Sequence, residues 1–261
     1  MGIINTTPDS FSDGGQFLSA DSAIQQGLKL IAEGADILDI GGESTRPGAE
    51  PVSLQEELDR VIPVIEQLAA QTATPISIDT YKPEVMSAAV AAGASMINDV
   101  NALRADGALD AAKKAQVPVC LMHMLGAPKN MQKQPSYDNV VAEVTVFLNQ
   151  QIERCEAHGI AKQDLIVDPG IGFGKTVAHN LALLNALPEL NENTGCTVLI
   201  GVSRKSMINS VLGREVEERL PASLGLAIQA RLNGAKILRV HDVGATHDAL
   251  RVVEAVLSSG N

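Results

Sequence analysis

The chain has no tryptophan, and only two tyrosines and four phenylalanines. Aromatic side chains therefore cannot build its core. Ala, Val, Ile and Leu must do so, which suits parallel strands buried on both faces. Positive charge is also scarce: 20 Lys and Arg stand against 31 Asp and Glu, a formal net charge of −11. A nucleic-acid partner, which needs a basic face, is not expected. A small anionic substrate remains compatible, because a few local cations outweigh a distant field.

Cysteine is sparse too. Cys120, Cys155 and Cys196 are an odd number without CxxC spacing. They predict neither a disulfide framework nor a zinc site, and they suit a reducing cytoplasm. No basic segment followed by an apolar run opens the chain, so no signal peptide is expected. No apolar run approaches the roughly 18 residues that a membrane span needs.

What is present is a 261-residue chain that is 45% hydrophobic. That is the size of one α/β barrel of about 250 residues, although two small domains would also fit. Apolar runs begin at Gly2, Ile37, Ile76, Met96, Val117, Leu165, Val198 and Ile237. Helical patterning follows each of them. Leu54, Leu58, Val61, Ile62, Ile65 and Leu68 recur at helical spacing behind a Ser53–Glu56 capping-box signature. Val141, Val144, Leu148, Ile152 and Cys155 form another stripe, and Pro83 suits a first helical position. Gly34, Gly93 and Gly234, each followed by Ala, predict helix stops before strands. Repeated β-then-α units without a linker predict a single TIM (β/α)8 barrel domain over residues 1–261. The competitor is a doubly wound open sheet. It would favour a glycine-rich dinucleotide loop after the first strand, where this chain has Asn5-Thr6-Thr7-Pro8-Asp9.

Buried parallel strands should be apolar throughout, yet each run here ends in polar residues. Asn5, Asp39 with Glu43 to Arg46, Asp79, Asn98 with Asp99, His123, Asp168, Ser203 to Lys205, and Arg239 to Asp242 close the eight runs in order. In a barrel these ends converge on the face that carries catalysis. A single such residue reads equally well as a structural hydrogen-bond partner, but eight consecutive cases favour function. Asp79, Asn98 and Asp168 suit a flat polar heterocycle with N–H donors and acceptors. Ser203, Lys205, Arg239 and His241 lie on the seventh and eighth units, where barrels frequently bind phosphate. Asn5 is next around a closed barrel. Its amide oxygen suits Mg2+, which binds phosphate oxygens and keeps several waters.

Other features carry less. The stretch from Asp168 to Thr176 mimics a P-loop, but Pro169 holds the position where a P-loop needs its first glycine. Its glycines are expected to turn a loop over the site and present Phe173. His123 has no second ligand at metal spacing, so a core or supporting role is expected. His158, His179 and His247 are expected on helix surfaces, and Glu215 to Glu218 on a solvated face.

At these residues the sequence resembles the dihydropteroate synthase family. Met1 to Gly15 resembles that family's first signature, and Asp39 to Gly48 its second. Asp168 to Lys175, Ser203 to Ser206 and Arg239 to Asp242 match in order, so the resemblance covers essentially the whole chain. It implies a TIM barrel that condenses 6-hydroxymethyl-7,8-dihydropterin diphosphate with 4-aminobenzoate in folate biosynthesis, and that is a sulfonamide target. Asp79, Asn98, Asp168 and Lys205 are then expected to hold the pterin, with Met122 and Arg239 near its faces. Asn5, Arg46, Arg239 and His241 are expected around the diphosphate, with Asn5 on Mg2+. Thr45 is expected to contact substrate, and Phe11, Pro47, Phe173 and Ser203 to surround the aminobenzoate. The resemblance further implies a homodimer.

Family members usually carry a short segment before the first strand, which Met1 opens directly here. Reduced stability with an intact site is the expectation. Two rival readings are a pterin-binding barrel of a methyl-transfer system and a non-catalytic paralogue. The first leaves Asn5, Lys205, Arg239 and His241 without a diphosphate to bind. The second would be marked by lost polar positions, and none is lost.

Overall fold

The computed structural model of the chain describes residues 1–6, 16–45, 48–126, 131 and 134–259, with residues 16–19 described by backbone alone. Eight parallel strands follow one another around one sheet in chain order. They are β1 (Gly2–Asn5), β2 (Leu38–Gly41), β3 (Ile76–Asp79), β4 (Met96–Asp99), β5 (Val119–Met122), β6 (Leu165–Asp168), β7 (Thr197–Ile200) and β8 (Ile237–Leu238). The sheet closes on itself. Ile3 N donates to Val240 O at 3.0 Å and Val240 N to Met1 O at 2.9 Å. The open-sheet competitor is thereby set aside, and the (β/α)8 barrel holds. The apolar runs located every strand, with starts displaced by at most two residues, as for β5 at Val119 rather than Val117.

Helices α1 (Gln16–Ala32), α2 (Leu54–Gln71), α3 (Pro83–Ala91), α4 (Ala108–Ala115) and α5 (Val140–Ala157) connect the first six strands. Beyond β6 come α6 (Val177–Asn185) and α7 (Leu187–Thr194), beyond β7 α8 (Ser206–Leu212) and α9 (Leu220–Leu232), and beyond β8 α10 (Val243–Ser258). None of the described helices is long and apolar enough to cross a membrane.

Local chemistry sets the boundaries. Glu56 N donates to Ser53 Oγ at 3.3 Å, capping α2. The Glu56 carboxylate pairs with Arg60 instead of turning back, so only half of the expected capping box forms. Gly93 ends the α3 turn at φ 118°, and a Cβ there would lie 2.6 Å from Ala69 Cβ. Gly34 and Gly234 end α1 and α9 in the same left-handed conformation.

Alternation along the strands separates two cores. Ile4, Leu38, Ile40, Ile76, Ile78, Ile97, Leu121 and Val167 face outward and join the helices' buried stripes. Met96, Cys120, Ile166 and Leu199 form a separate cluster inside the barrel with Met1, Ile37 and Ile237 packed there. Side chains thus plug the lower barrel, and the next inward-facing positions include the polar Asp39, Asn98, Asp168 and Arg239, above Ile37, Met96, Ile166 and Ile237.

Leu68 is fully buried between α2 and α1, with its methyls 3.0 Å from where a Cβ on Gly27 would stand. Leu68→Ala is expected to lower unfolding stability by about 3 kcal/mol, read from urea denaturation, because the tight backbone approach at Gly27 prevents collapse into the cavity.

Candidate active site

The inward register places Asp39 and Gly41 of β2 beside Ser77 and Asp79 of β3, then Asn98 of β4 and Met122 of β5 with Asp168 of β6. Arg239, just after β8, crosses the barrel to meet them. Its Nε donates to Asp39 Oδ2 at 2.5 Å and its Nη2 to Asp79 Oδ2 at 2.7 Å. Asn98 Nδ2 donates to Asp39 Oδ2 at 3.2 Å. Among the described residues, Asp79 Oδ1 and Ser77 Oγ are buried with no hydrogen-bond partner. A buried unpaired carboxylate oxygen is costly, and a ligand N–H would relieve that cost.

Asp168 accepts from Gly170 N at 2.7 Å. Burial nevertheless raises its carboxyl, although Gly170 N–H, Lys205, Lys175 and Arg239 pull the other way. Lys205 stands with its Nζ 4.3 Å from the Phe173 ring centroid. Burial lowers the Lys205 ammonium to about 8, against the pull of Asp168. For Arg239, burial disfavours the charge, but Asp39 and Asp79 outweigh it and hold the guanidinium firmly protonated. His241 N and Nδ1 lie 3.2 and 3.0 Å from Ser203 Oγ, so β7 and β8 are joined at this mouth. The intervening Arg204 adopts φ 58° and pairs its guanidinium with Asp242. Met122 packs with Val100, Met124, Met131, Tyr81 and Phe173 as an apolar wall.

Asn5 ends β1 in register with Gly41, half-buried. Thr45 is half-buried beyond β2. Phe11, Arg46 and Pro47 lie outside the described residues. The anticipated residues Asp79, Asn98, Met122, Asp168, Phe173, Ser203, Lys205, Arg239 and His241 therefore come from the ends of six strands, β3 to β8, and the adjoining loops on one face of the barrel.

The structure also refines the strand-end pattern. Asp39, wholly buried and bonded to both Arg239 and Asn98, belongs to the site and was not singled out as a binding residue. Its alternation with Gly41 and its place opposite Ser77 were the available signals. Asp99 turns away from the mouth: its carboxylate accepts from Asn101 N and Leu103 N at 2.7 Å, holding the following turn. Glu43 pairs with Lys82, which also reaches the buried Glu57, so it anchors the loop beyond β2 rather than facing the mouth. His179 is more than a surface residue, since it completes a capping box with Thr176 at the start of α6.

Residues 1–241 match the family model described as pterin binding enzyme. The dihydropteroate synthase of Escherichia coli K12 is 52% identical over 259 residues, spanning 99% of this chain and 92% of that protein. The chain belongs to the dihydropteroate synthase family. A solved Xanthomonas albilineans dihydropteroate synthase with 4-aminobenzoic acid superposes at a TM-score of 0.94, with 57% identity over 98% of this chain and 92% of that one. The same organism's enzyme in complex with 7,8-dihydropteroate gives 0.89, with 54% identity and the same coverage. Synthase matches of this extent do not favour the methyl-transfer or non-catalytic readings.

Burial lifts Asp79 from 3.8 to about 7, opposed by Arg239 and reinforced by Asp39. A carboxyl raised in the folded state stabilises the fold below its unfolded pKa and loses that contribution as pH rises through the folded one. Asp79→Asn removes the titration. The unliganded variant should therefore gain stability relative to the parent as pH rises from about 4 to about 7, measured as the difference in urea midpoints.

Proposed function

We propose that this chain is a dihydropteroate synthase that joins (7,8-dihydropterin-6-yl)methyl diphosphate to 4-aminobenzoate, giving 7,8-dihydropteroate and diphosphate. The observation that carries this reading is the divided mouth. Carboxylates and an amide gather on β3, β4 and β6, while Lys205, Arg239 and His241 gather on β7 and β8.

In this reading Asp79, Asn98 and Asp168 take the pterin's N–H groups, and the unpartnered Oδ1 of Asp79 gains a donor. Lys205 donates to ring acceptors, with Met122 and Arg239 over the two ring faces. Asn5, Arg46, Arg239 and His241 surround the diphosphate, and Thr45 contacts substrate from the second loop. Phe11, Pro47, Phe173 and Ser203 line the aminobenzoate pocket.

Among the described residues, no group of three or more His, Cys, Asp or Glu gathers to hold a metal. A single neutral amide oxygen, that of Asn5, nonetheless suits Mg2+, whose other ligands would be diphosphate oxygens and water. When bound there, Mg2+ would neutralise charge on the leaving diphosphate.

The chain's own groups favour a dissociative route. The electron-rich pterin lets its C–O bond break first. Arg239, His241 and Lys205 stabilise the charge growing on diphosphate, and Asp79 and Asp168 stabilise the pterin cation. The neutral arylamine then attacks carbon and passes its surplus N–H proton to the released diphosphate, while the loops beyond β1 and β2 would exclude water.

A homodimer accords with the apolar side chains exposed on α8, α9 and α10, among them Val211, Leu232, Val252 and Val256. A cytoplasmic setting accords with the three free, buried cysteines.

The decisive experiment supplies pterin diphosphate, Mg2+ and 4-aminobenzoate and follows diphosphate and dihydropteroate together. Both are expected in equal amounts, and absence of product would overturn the reading. Lys205→Ala should lower kcat/KM by about a hundredfold through lost charge stabilisation. The dissociative route further predicts diphosphate release from the pterin substrate alone. A strict requirement for both substrates before C–O cleavage would exclude it.

A further inference from the structure

Lys175 follows the glycine-rich loop between β6 and α6. It is one of the few buried cations in the barrel, and the proposed chemistry does not use it. Its side chain is almost fully enclosed. Among the described residues it makes no ion pair. Instead its Nζ donates to His123 Nδ1 at 2.8 Å, to Phe173 O at 3.0 Å and to His123 O at 3.4 Å. Burial lowers the Lys175 ammonium to about 7, against the pull of Asp168; in its charged form its three N–H groups are satisfied by these three neutral acceptors. With Nδ1 accepting, the imidazole is neutral and carries its proton on Nε2. Burial and the neighbouring Lys175 both depress the His123 imidazolium, to about 3, which keeps the ring an acceptor at any working pH.

The surroundings hold both partners in place. The Phe147 ring of α5 meets the His123 ring edge-on at 4.9 Å. Tyr137 packs against His123 and His179, and its hydroxyl donates to Gly174 O at 2.9 Å. The loop itself is pressed onto the end of β5. A Cβ on Gly170 would stand 1.9 Å from His123 O, and one on Gly174 would stand 2.7 Å from Leu125 O. Phe173 therefore hangs between two tethered glycines, with its own carbonyl held by Lys175 and its ring against Lys205.

We infer that Lys175 and His123 form a positioning clamp that fixes the loop between β6 and α6, and with it the Phe173 ring, against the end of β5. The clamp acts through Phe173 and touches no reacting atom. Its expected effect on turnover rests on the assignment of Phe173 to the arylamine pocket.

Amide hydrogen exchange across residues 170–175 and steady-state kinetics together test this. Lys175→Met keeps the stem and removes the donors. His123→Leu removes the acceptor, and His123→Asn keeps an acceptor near the position of Nδ1. Lys175→Met and His123→Leu should each speed exchange in the loop and raise KM for 4-aminobenzoate about tenfold, as loss of a buried charged hydrogen bond predicts. KM for pterin diphosphate should stay within about twofold, since uniform loosening is not expected. His123→Asn should behave like the parent. Unchanged exchange in the loop, equal rises in both KM values, or His123→Asn as impaired as His123→Leu would each overturn the clamp. If Lys175→Met does not fold, the two His123 variants decide alone. Exchange needs no substrate, so a parent chain that makes no dihydropteroate defeats the functional reading while exchange still decides the clamp.

Discussion

Arg239 is the group on which the barrel mouth depends. Among the described residues it is the one cation that touches two inward carboxylates, and it reaches them from a strand end on the opposite side of the closure. Burying Asp39 without a cation would cost several kcal/mol after relaxation, and the guanidinium fork offsets that cost with directed hydrogen bonds. Replacing such a set with apolar side chains would serve stability at least as well. Its place directly above the apolar plug of Met96, Cys120, Ile166 and Leu199 points to chemistry. The same contacts hold Asp79 so that one oxygen is engaged and the other waits.

Around that centre, the loops are fixed by local contacts between neighbouring units. Lys82 ties Glu43 to Glu57 beneath the second loop. Arg204 and Asp242 join the turn after β7 to the turn after β8, and Ser203 with His241 repeats the link inside the mouth. Lys175 and His123 hold the loop after β6. Each tether is a charged or polar pair between neighbouring units, so the rigid barrel passes its order to the loops that meet the ligand.

Much of this was legible in the sequence, for a physical reason. Strands buried on both faces must be apolar, so a polar residue closing such a run stands out, as Asp79, Asn98 and Asp168 do. Period-two alternation would also have exposed Asp39, because Asp39 and Gly41 share a face with Ser77 and Asp79. The Lys175–His123 contact left no such trace. Its partners lie 52 positions apart, on a loop and a strand end whose approach depends on glycine geometry. Glu43 was misleading for a related reason. It sits within a polar signature, but its direction is set by Lys82 on the next unit, which no local pattern reveals. The positive φ of Arg204 was equally silent, since nothing in an Arg side chain announces a left-handed backbone.

The closure of β8 onto β1 has a consequence for how the molecule comes into being. Arg239 lies 200 positions after Asp39 and 160 after Asp79, and Lys205 also comes late in the chain. During synthesis, Asp39 and Asp79, destined for the interior, exist long before Arg239, the cation that balances them. In a nascent chain ending before β7, Asp39 and Asp79 would have to be protonated or remain hydrated for want of Arg239. The outward aliphatic faces can pack helix by helix, but the interior waits for its last strands. Electrostatics thus makes the final step of folding also the step that completes the binding site, so that a chain closed enough to be stable is already a chain equipped to bind.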